Sequence, residues 1–300
     1  MYYIHAISSI SHQQTFDLEF IHNDLQKLTP ESPLLVPEFI DILPPTALRR
    51  LSAILKISLT TALKCLNESA FDGIVVGTGL GCLQDTEKFL VTINNTTSDV
   101  LSPTAFIQST HNTIGGQISL FLKNHAYNMT HTQNALSFEI SLLDGITLLN
   151  EGKNNILVGA ADEKIPFLEL LNEDLIKTDY PFTSIATFFN LKKEKSDRNV
   201  LVKDVLVLAN SKKDINEVIL RFLEKNQCDP TNLTKVYHSD LEISLSTEKV
   251  NYLDFTGYNY AASALAFHIG VSELSEIPGT ILIVNSLVKK DLGLILIERC

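Results

Sequence analysis

The sequence is poor in the features that mark several protein classes. It contains no tryptophan, and its 13 glycines in 300 residues fall below the roughly 7% of typical proteins. Acidic residues outnumber basic ones by 35 to 24, and the basic residues are scattered rather than gathered into the clusters that neutralise phosphate backbones. These shortages argue against a nucleic-acid-binding protein.

Long apolar runs are also missing. The longest, such as Thr280 to Val284 and Leu292 to Ile297, are strand-sized and far shorter than the ~20 residues that cross a bilayer. The start of the chain, Met1 to His5, has neither a basic region nor a small-residue cleavage site, so no secretory signal is expected. The sequence therefore predicts a cytoplasmic protein without a membrane span.

The cysteines are few and widely spaced, and they form no metal-ligand or disulfide pattern. They are Cys65, Cys82, Cys228 and Cys300. We predict reduced thiols, no metal site and no cofactor. The 45% of hydrophobic residues is enough to build a globular core.

What the sequence does contain is an order of strand and helix patterns that occurs twice. Buried strands read as continuous apolar runs, and helices as apolar residues three and four positions apart. The first round comprises Tyr2 to Ser9, a helix from Leu48 to Leu66, Phe71 to Gly77, Ile114 to Leu122, Asn128 to Gln133, Phe138 to Asn150 and Ile156 to Ala161. The shorter second round comprises Val205 to Ala209, Asp214 to Lys225, Leu233 to Tyr237 and Ala261 to Leu274.

Each round is predicted to end in a hairpin. The first hairpin pairs Ser184 to Leu191 with Asn199 to Ala209 around a charged turn, and the second pairs Thr280 to Ser286 with Gly293 to Arg299. The stretch from Thr92 to Pro103, rich in Asn, Thr and Ser, is expected to be a loop. Alternating strands and helices indicate α/β layers with a mixed sheet.

Gly77-Thr78-Gly79-Leu80-Gly81 follows a predicted buried strand, which raises the question of a dinucleotide site. The fingerprint for such a site is G-x-G-x-x-G at the start of a helix, and here the third glycine comes one residue early. The alternative is a tight turn at the exit of the strand, and the spacing favours that turn.

Two further places could carry chemistry. Ser137 lies at the start of a predicted helix, where a nucleophile could gain from the helix dipole, although a serine there is commonly a cap or a packing residue. His111, Asn112, His125 and His131 fall within 21 residues of one another and could line a pocket. Their spacing does not fit a metal site, and the alternative is ordinary hydrogen bonding in loops.

The order of motifs resembles the beta-ketoacyl synthase family, which has the thiolase-like fold. The similarity spans nearly the whole chain and is strongest from residue 71 to 162. The motifs that carry it are Gly77 to Gly81, Ser102-Pro103-Thr104, His111 to Gln117, Asn128-Met129-Thr130, Ala135 to Glu139, Gly152, Ile156 to Asp162, Gly257 to Leu265 and Val284-Asn285-Ser286.

The resemblance implies a fold of two pseudo-repeated halves in α-β-α-β-α layers, with a shortened C-terminal half. We divide the chain into residues 1–195 and 196–300, as two halves of one integrated thiolase-like unit.

The resemblance also implies that the catalytic residues are missing. Active members use a cysteine nucleophile and two histidines, and the matching positions hold Ala135, His238 as a doubtful first histidine, and Tyr258. The glycine-rich loop that supplies part of the oxyanion hole is replaced by Leu287 to Asp291. Because loss of one oxyanion donor alone costs roughly a hundredfold in rate, no independent condensation activity is expected.

Because its catalytic positions are replaced, this chain resembles the chain length factors of the family. A chain length factor pairs with an active ketosynthase and shapes the tunnel in which the acyl chain grows. The similarity is to the short subunits of aryl polyene, flexirubin-type and dialkylresorcinol pathways, within polyketide and fatty-acid-like biosynthesis. The resemblance implies two partners, an active ketosynthase and acyl carrier protein. The chain would form a heterodimer with the ketosynthase, or a homodimer where the ketosynthase is absent. The residues expected at the tunnel or the interface are His111, Asn112, Asn128, Thr130, Thr132, Asn134, Ser137 and Phe138.

Two other functions remain open from the sequence. The chain could be an acyltransferase or decarboxylase that uses another group, such as Ser137 or His238. It could also be a non-catalytic scaffold that binds acyl carrier protein without shaping a tunnel.

Overall fold

The computed structural model describes residues 1–16, 24–66, 70–95 and 101–299. Part of the predicted loop from Thr92 to Pro103, and Cys300, lie outside the described residues. The strands are β1 Tyr2–Ile10, β2 Gly73–Gly77, β3 Tyr127–His131, β4 Ile156–Asp162, β5 Ile185–Lys192, β6 Val200–Leu208, β7 Lys235–His238, β8 Lys249–Asn251, β9 Gly279–Asn285 and β10 Leu292–Arg299.

Among the described residues, seven helices lie before residue 196 and three lie after it, whereas the strands divide equally. The helices are α1 Pro45–Leu48, α2 Ala53–Lys64, α3 Leu83–Asn95, α4 Pro103–Gln108, α5 Thr113–Leu122, α6 Ser137–Asn150, α7 Pro166–Leu171, α8 Ile215–Lys225, α9 Leu253–Thr256 and α10 Ala262–Glu276. In the part of the chain that is described, no helix has both the length and the apolar character needed to cross a membrane.

The ten strands form one sheet in the order β3-β2-β4-β5-β1-β6-β10-β9-β7-β8. In the first five, β3, β2 and β4 are parallel, and β5 and β1 follow antiparallel. In the second five, β8, β7 and β9 are parallel, and β10 and β6 follow antiparallel. The two sets therefore have the same topology, and they join where Tyr2 and Tyr3 pair with Val202 and Leu201.

The central layer consists of α6 and α10, which lie between the two sets of strands. Helix α6 packs against β2 and β4 and also contacts β6 and β10, whereas α10 packs against β9 and also contacts β5 and β1. Helices α2 and α5 cover the outer face of the first set, and α8 covers that of the second. These are the predicted α-β-α-β-α layers, and the second half is the shorter one.

The core of the central layer contains three aromatic rings. Phe138 of α6 lies 5.4 Å from Phe189 and 5.6 Å from Phe267 of α10, measured between ring centroids. Phe189 and Phe267 are 4.7 Å apart and nearly perpendicular. All three rings are buried, so one aromatic cluster ties both halves together.

The first predicted hairpin is wrong. β5 and β6 are adjacent along the chain but do not pair, because β1 lies between them in the sheet. A short charged turn between two strands is typical of a hairpin, and local sequence gives no sign that a strand from the N-terminus will insert there. The second predicted hairpin is confirmed, since β9 and β10 pair antiparallel.

Other parts of the sequence-based prediction need correction. The helix from Leu48 to Leu66 is divided into α1 and α2, because Ser52 has extended backbone angles. Part of the predicted loop after Thr92 is the last turn of α3. The prediction also left out the helices α3, α4, α7 and α9 and the three-residue strand β8.

Candidate functional site

The candidate site lies where the carboxyl ends of the parallel strands meet the N-termini of α6 and α10. A short 3-10 turn, Asn134–Leu136, leads into α6, and the segment after Gly257 leads into α10. Asn285, the last residue of β9, donates its side-chain amide to the Ala135 carbonyl at 2.7 Å and to Glu139 Oε1 at 2.8 Å. One asparagine of the second half therefore fixes the turn of the first.

Ala135 is buried, with 1% of its surface exposed. The residue before it, Asn134, has φ of 49°, a left-handed conformation that asparagine tolerates better than most residues. The structure brings Ala135 to the N-terminal end of α6, and its methyl group carries no nucleophile.

A cleft of about 740 Å³ opens on the second half of this site. Tyr258 lines it together with Tyr260, Ser239 and Ser286, and leucines of both halves contribute apolar walls. The cleft thus combines hydroxyl groups with an apolar lining.

Tyr258 is held in place by other aromatic rings. Its ring lies 5.5 Å from Phe182 and 6.1 Å from Tyr260, and its N–H donates to the Pro181 carbonyl at 2.9 Å. Burial, and then the neighbouring Tyr260, raise the pKa of the Tyr258 phenol above its ordinary value. The phenol therefore stays protonated near neutral pH and cannot act as a base there.

His238 ends β7 and is tied into the fold. Its Nδ1 accepts a hydrogen bond from the Leu241 N–H at 3.0 Å, and its carbonyl accepts one from the Tyr252 N–H at 2.9 Å. Burial lowers the pKa of the His238 imidazole. The next residue, Ser239, lines the cleft.

The glycine turn from Gly77 to Gly81 is occupied by a carboxylate of the chain itself. Asp162 accepts hydrogen bonds from the N–H groups of Gly79 and Leu80, at 2.9 and 2.8 Å, and from the Thr78 hydroxyl at 2.8 Å. Burial raises the pKa of Asp162 to about 6, and the N–H donors oppose that rise. Because these donors are already used, the turn is a strand exit rather than a phosphate cradle.

Ser137, the other sequence candidate, is buried at the first position of α6. Its hydroxyl lies 2.7 Å from the Asn134 carbonyl and 3.0 Å from the Thr78 carbonyl, and it accepts from the Gln133 N–H. These contacts place it as a packing residue that fixes the turn before α6.

Phe138 lies in the aromatic cluster of the central layer and has no exposed surface. It was expected at the tunnel or the interface. The ring contacts Phe189 and Phe267, so in the isolated chain it supports the core and presents no surface to a partner.

The other residues expected at the interface lie on or beside β3, which is one edge of the sheet. Asn128 is on β3 and donates to the Gly115 carbonyl at 2.9 Å. Thr130 is half-buried on the same strand, whereas Thr132 and Asn134 are exposed and follow its end at His131. β3 therefore ends earlier than the sequence predicts.

His111 and His131 make different contacts in the structure. His111 is exposed and lies against Gly81, where an added Cβ would come within 3.0 Å of it, and Asn112 precedes α5. His131 Nε2 instead lies 2.8 Å from Asp144 Oδ2 on α6, and the Tyr127 hydroxyl donates to the same oxygen at 3.0 Å. Two side chains of the edge strand are thus fixed by one aspartate.

The prediction from sequence missed Glu139, a completely buried carboxyl at the centre of the site. Burial raises its pKa to about 7, and the hydrogen bond from Asn285 opposes the rise. A Cβ on Gly293 would come within 2.8 Å of Glu139 Cγ, so β10 passes directly over it. A signal was present, because Glu139 lies one turn from Leu142 on the apolar face of α6.

Comparison with known proteins gives the family. A family model of the beta-ketoacyl synthase N-terminal domain matches residues 25–197, more than half of the chain. No curated protein sequence matches significantly.

Solved structures with the same fold are similar over nearly their full length. One is described as the ishigamide ketosynthase/chain length factor, with a TM-score of 0.81, 13% identity and 99% of both chains covered. Another is a ketosynthase (ApeO) in complex with its chain length factor (ApeC) from Xenorhabdus doucetiae, with a TM-score of 0.65, 17% identity and 99% of both chains covered.

A third structure is a type II polyketide synthase acyl-carrier protein in complex with its ketosynthase bound to the hexaketide. The TM-score is 0.82 and the identity 14%, with 100% of this chain and 99% of the other covered. At these identities the structures show the shared thiolase-like fold. Together with the family match, they establish that the chain belongs to the beta-ketoacyl synthase family.

Proposed function

We propose that this chain is a catalytically degenerate subunit of the chain-length-factor type. It pairs with an active ketosynthase and helps to shape the tunnel for an acyl chain bound to a carrier protein. The observation that carries the proposal is a complete fold with Ala135 and Tyr258 at the candidate site. The fold is kept, and the side chains that would perform condensation are replaced.

The replacements affect every part of the reaction. Ala135 has no nucleophile, and the raised pKa of Tyr258 keeps its phenol protonated. The segment from Leu287 to Asp291 stands where active members have a glycine-rich loop. Since removal of one oxyanion donor alone lowers kcat by a hundredfold or more, independent condensation is not expected.

The surface of the first half supports a partner subunit. β3 is the outer strand of the sheet, its side chains include no Lys, Arg, Asp or Glu, and Met129 is 40% exposed. An uncharged open edge is a template for pairing with another strand. Solved structures of similar fold include a ketosynthase in complex with a chain length factor, which supports an active ketosynthase as the partner.

The substrate class follows from the same proposal. An acyl-carrier protein is bound to a ketosynthase in one structure of similar fold, and we propose that the chain acts on carrier-bound acyl chains of the polyene or polyketide type. The run from Ala135 to Asp144 resembles the short synthase-like subunits of aryl polyene, flexirubin-type and dialkylresorcinol pathways, and this resemblance favours those pathways.

The experiment is co-expression of this chain with a ketosynthase encoded beside it. We expect a one-to-one complex by light scattering, elongation by the complex, and no elongation by this chain alone. A ketosynthase that forms no complex with the chain would contradict the proposal. So would an acyl adduct on the purified chain, detected by intact mass after exposure to acyl carrier protein, because that chain would be an acyltransferase.

A further inference from the structure

A second cleft opens at the end of α10 that is farther from the candidate site. Its volume is about 450 Å³, and it lies between the C-terminal turns of α10, strand β1 and the turn that joins β5 to β6. Helix α10 begins at the candidate site and is 15 residues long, which corresponds to about 22 Å. We call this second cleft the distal cleft, because the length of a helix separates it from the candidate site.

Helix α10 presents polar side chains to the distal cleft. Ser272, Ser275 and Glu276 line it, and their spacing of three and four positions places them on one face of the helix. The Ser275 hydroxyl donates to the Val271 carbonyl at 2.7 Å. The Ser272 side chain is only 5% exposed, and in the described part of the chain its hydroxyl has no hydrogen-bond partner. A buried hydroxyl in this state is stabilised by a ligand that supplies the missing hydrogen bond.

The opposite wall carries a guanidinium without a carboxylate partner. Arg198, in the turn between β5 and β6, is half-buried and lines the distal cleft. Among the described residues it forms no ion pair. A guanidinium has five N–H donors in a planar fork, and it binds a carboxylate through two parallel hydrogen bonds. Arg198 is therefore placed to anchor a carboxylate.

Acceptor groups lie around this guanidinium. Asp197 is exposed and lines the distal cleft, and Glu276 adds a second carboxylate at the end of α10. His5 of β1 also lines it, and its Nε2 lies 2.8 Å from the Glu194 carbonyl. In the neutral ring Nε2 therefore carries the hydrogen, and Nδ1 is an acceptor. The distal cleft thus combines one strong group of donors with several acceptors.

We propose that the distal cleft binds a small zwitterion of the α-amino-acid class. The carboxylate of the ligand contacts the Arg198 guanidinium, and its ammonium group faces the Asp197 and Glu276 carboxylates. The inference is independent of the proposed function, since the residues that line the distal cleft are not those that line the candidate site.

The mixture of charges selects this class of ligand. A simple anion would meet the guanidinium but would lie beside two carboxylates, and a simple cation would meet the carboxylates but would lie beside the guanidinium. A ligand that carries both charges compensates both, and like charges are kept apart. The volume is within the range of small-molecule sites. The described lining residues include no Phe, Tyr or Trp on which a nucleotide base would stack.

The test begins with thermal unfolding of the purified chain in the presence of each common L-amino acid at about 10 mM, because a ligand that binds the folded state raises the Tm. The amino acid with the largest shift is then titrated by calorimetry. Two derivatives of it are titrated in parallel, the amide, which lacks the carboxylate, and the N-acetyl derivative, which lacks the ammonium group.

We expect both derivatives to bind about tenfold or more weakly than the parent amino acid, since each loses a charge-assisted hydrogen bond. Arg198→Gln should weaken binding of the parent by about tenfold or more for the same reason. Asp197→Asn should weaken it about two- to fivefold, because Asp197 is more exposed. The matched control is Arg49→Gln, which removes an exposed guanidinium outside the distal cleft and should leave the affinity unchanged.

The absence of a thermal shift with every amino acid would overturn the proposal, and so would equal binding of the parent and its amide. Equal effects of Arg198→Gln and Arg49→Gln would place the ligand elsewhere and contradict it. If Arg198→Gln fails to fold, the comparison of the parent with its two derivatives on the wild-type chain decides. Glucose 6-phosphate serves as a further probe. If it binds more tightly than every amino acid, the distal cleft is a site for a phosphorylated sugar and not for a zwitterion.

Discussion

The two halves of the molecule share one topology but differ in their surfaces. In the first half, β3 is a five-residue edge strand without charged side chains, whereas its counterpart β8 has three residues and begins with Lys249. Short strands and edge lysines prevent strands of other chains from pairing. The edge of the second half is thus protected, and that of the first is open.

Exposed apolar side chains follow the same division. Among the described residues after 195, the large hydrophobic side chains that are exposed are Leu220 and Ile277. The first half, proposed to be residues 1–195 and about twice as long, has many more. They include Leu90 and Val91 of α3, Phe106 and Ile107 of α4, Leu120, Met129, Phe167 and Leu170. Because extended apolar surface marks interaction sites, this distribution supports the proposal that the partner binds the first half.

The largest effect should come from the core that the halves share. Phe138→Ala and Phe267→Ala should each lower the free energy of unfolding by about 3–5 kcal/mol, because each leaves a cavity in the central layer. The double variant should cost less than the sum, since the two rings are in contact. Denaturant unfolding measures the free energy of unfolding of the two single variants and the double variant. Leu220→Ala, on the exposed face of α8, is the control and should change stability by no more than about 0.5 kcal/mol. Strict additivity would mean that the halves have separate cores.

A pH dependence should mark the contact between Glu139 and Asn285. The Glu139 pKa is about 7 in the folded chain against an ordinary 4.5, so the folded state retains a proton that the unfolded chain releases. Its contribution to stability is fully present below pH 4.5 and is lost as the pH rises from there through 7, by about 3 kcal/mol.

Glu139→Gln should flatten that fall, because the amide oxygen can still accept from Asn285 and no charge is buried. Denaturant unfolding of both proteins from pH 4.5 to 8 provides the measurement. Asp162 and His268 also titrate with shifted pKa values, Asp162 raised and His268 lowered to about 3, so the informative quantity is the difference between the two proteins. Parallel pH profiles would show that Glu139 is ionised in the folded state.

The open edge can be closed by one substitution. Met129→Lys should weaken the complex with the ketosynthase about tenfold or more, because a charge on an edge strand opposes pairing. Leu220→Lys is the matched control in the second half, at a side chain that is 49% exposed, and it should leave the affinity nearly unchanged. Light scattering across a dilution series measures both. A larger loss of affinity with Leu220→Lys than with Met129→Lys would place the ketosynthase on the second half and contradict the proposed surface.

The smallest expected effect is on catalysis. Ala135→Cys restores a thiol at the start of α6, yet it should give no condensation by the chain alone, because Tyr258 and the segment from Leu287 to Asp291 are unchanged. Product analysis of the variant alone, supplied with malonyl-carrier protein and acyl-carrier protein, checks for condensation. Turnover by the variant, accompanied by an acyl adduct on the introduced thiol, would show that a single replacement separates this chain from an active synthase.

The sequence predicted nine of the ten described strands and five of the ten described helices, because their patterns are local. Apolar spacing located α6, α8 and α10, and the continuous Ile-Val-Val run located β2. The place of β1 could not be predicted that way, since its partners are far away in the chain and its own residues do not specify them. The α-β-α-β-α order of the layers was predicted from the resemblance to the family and not from local patterns.

For the site, the resemblance located Ala135 and Tyr258, which the structure places at the same end of the fold. It could not predict that Phe138 belongs to an aromatic cluster, because its partners Phe189 and Phe267 come from other elements.

The position of β1 has a consequence for how the chain folds. Its residues are made before those of the other described strands, but they pair with β5 and β6, and the Ser9 and Thr187 hydroxyls that meet at 2.8 Å are 178 residues apart. Contacts of such long range slow folding. During synthesis β1 therefore cannot pair with β5 until the end of the first half has left the ribosome, and its short pairing with β6 forms later still. The first half can thus complete its own set of strands before the second is made, and the seam between the halves is the last pairing of β1 to form.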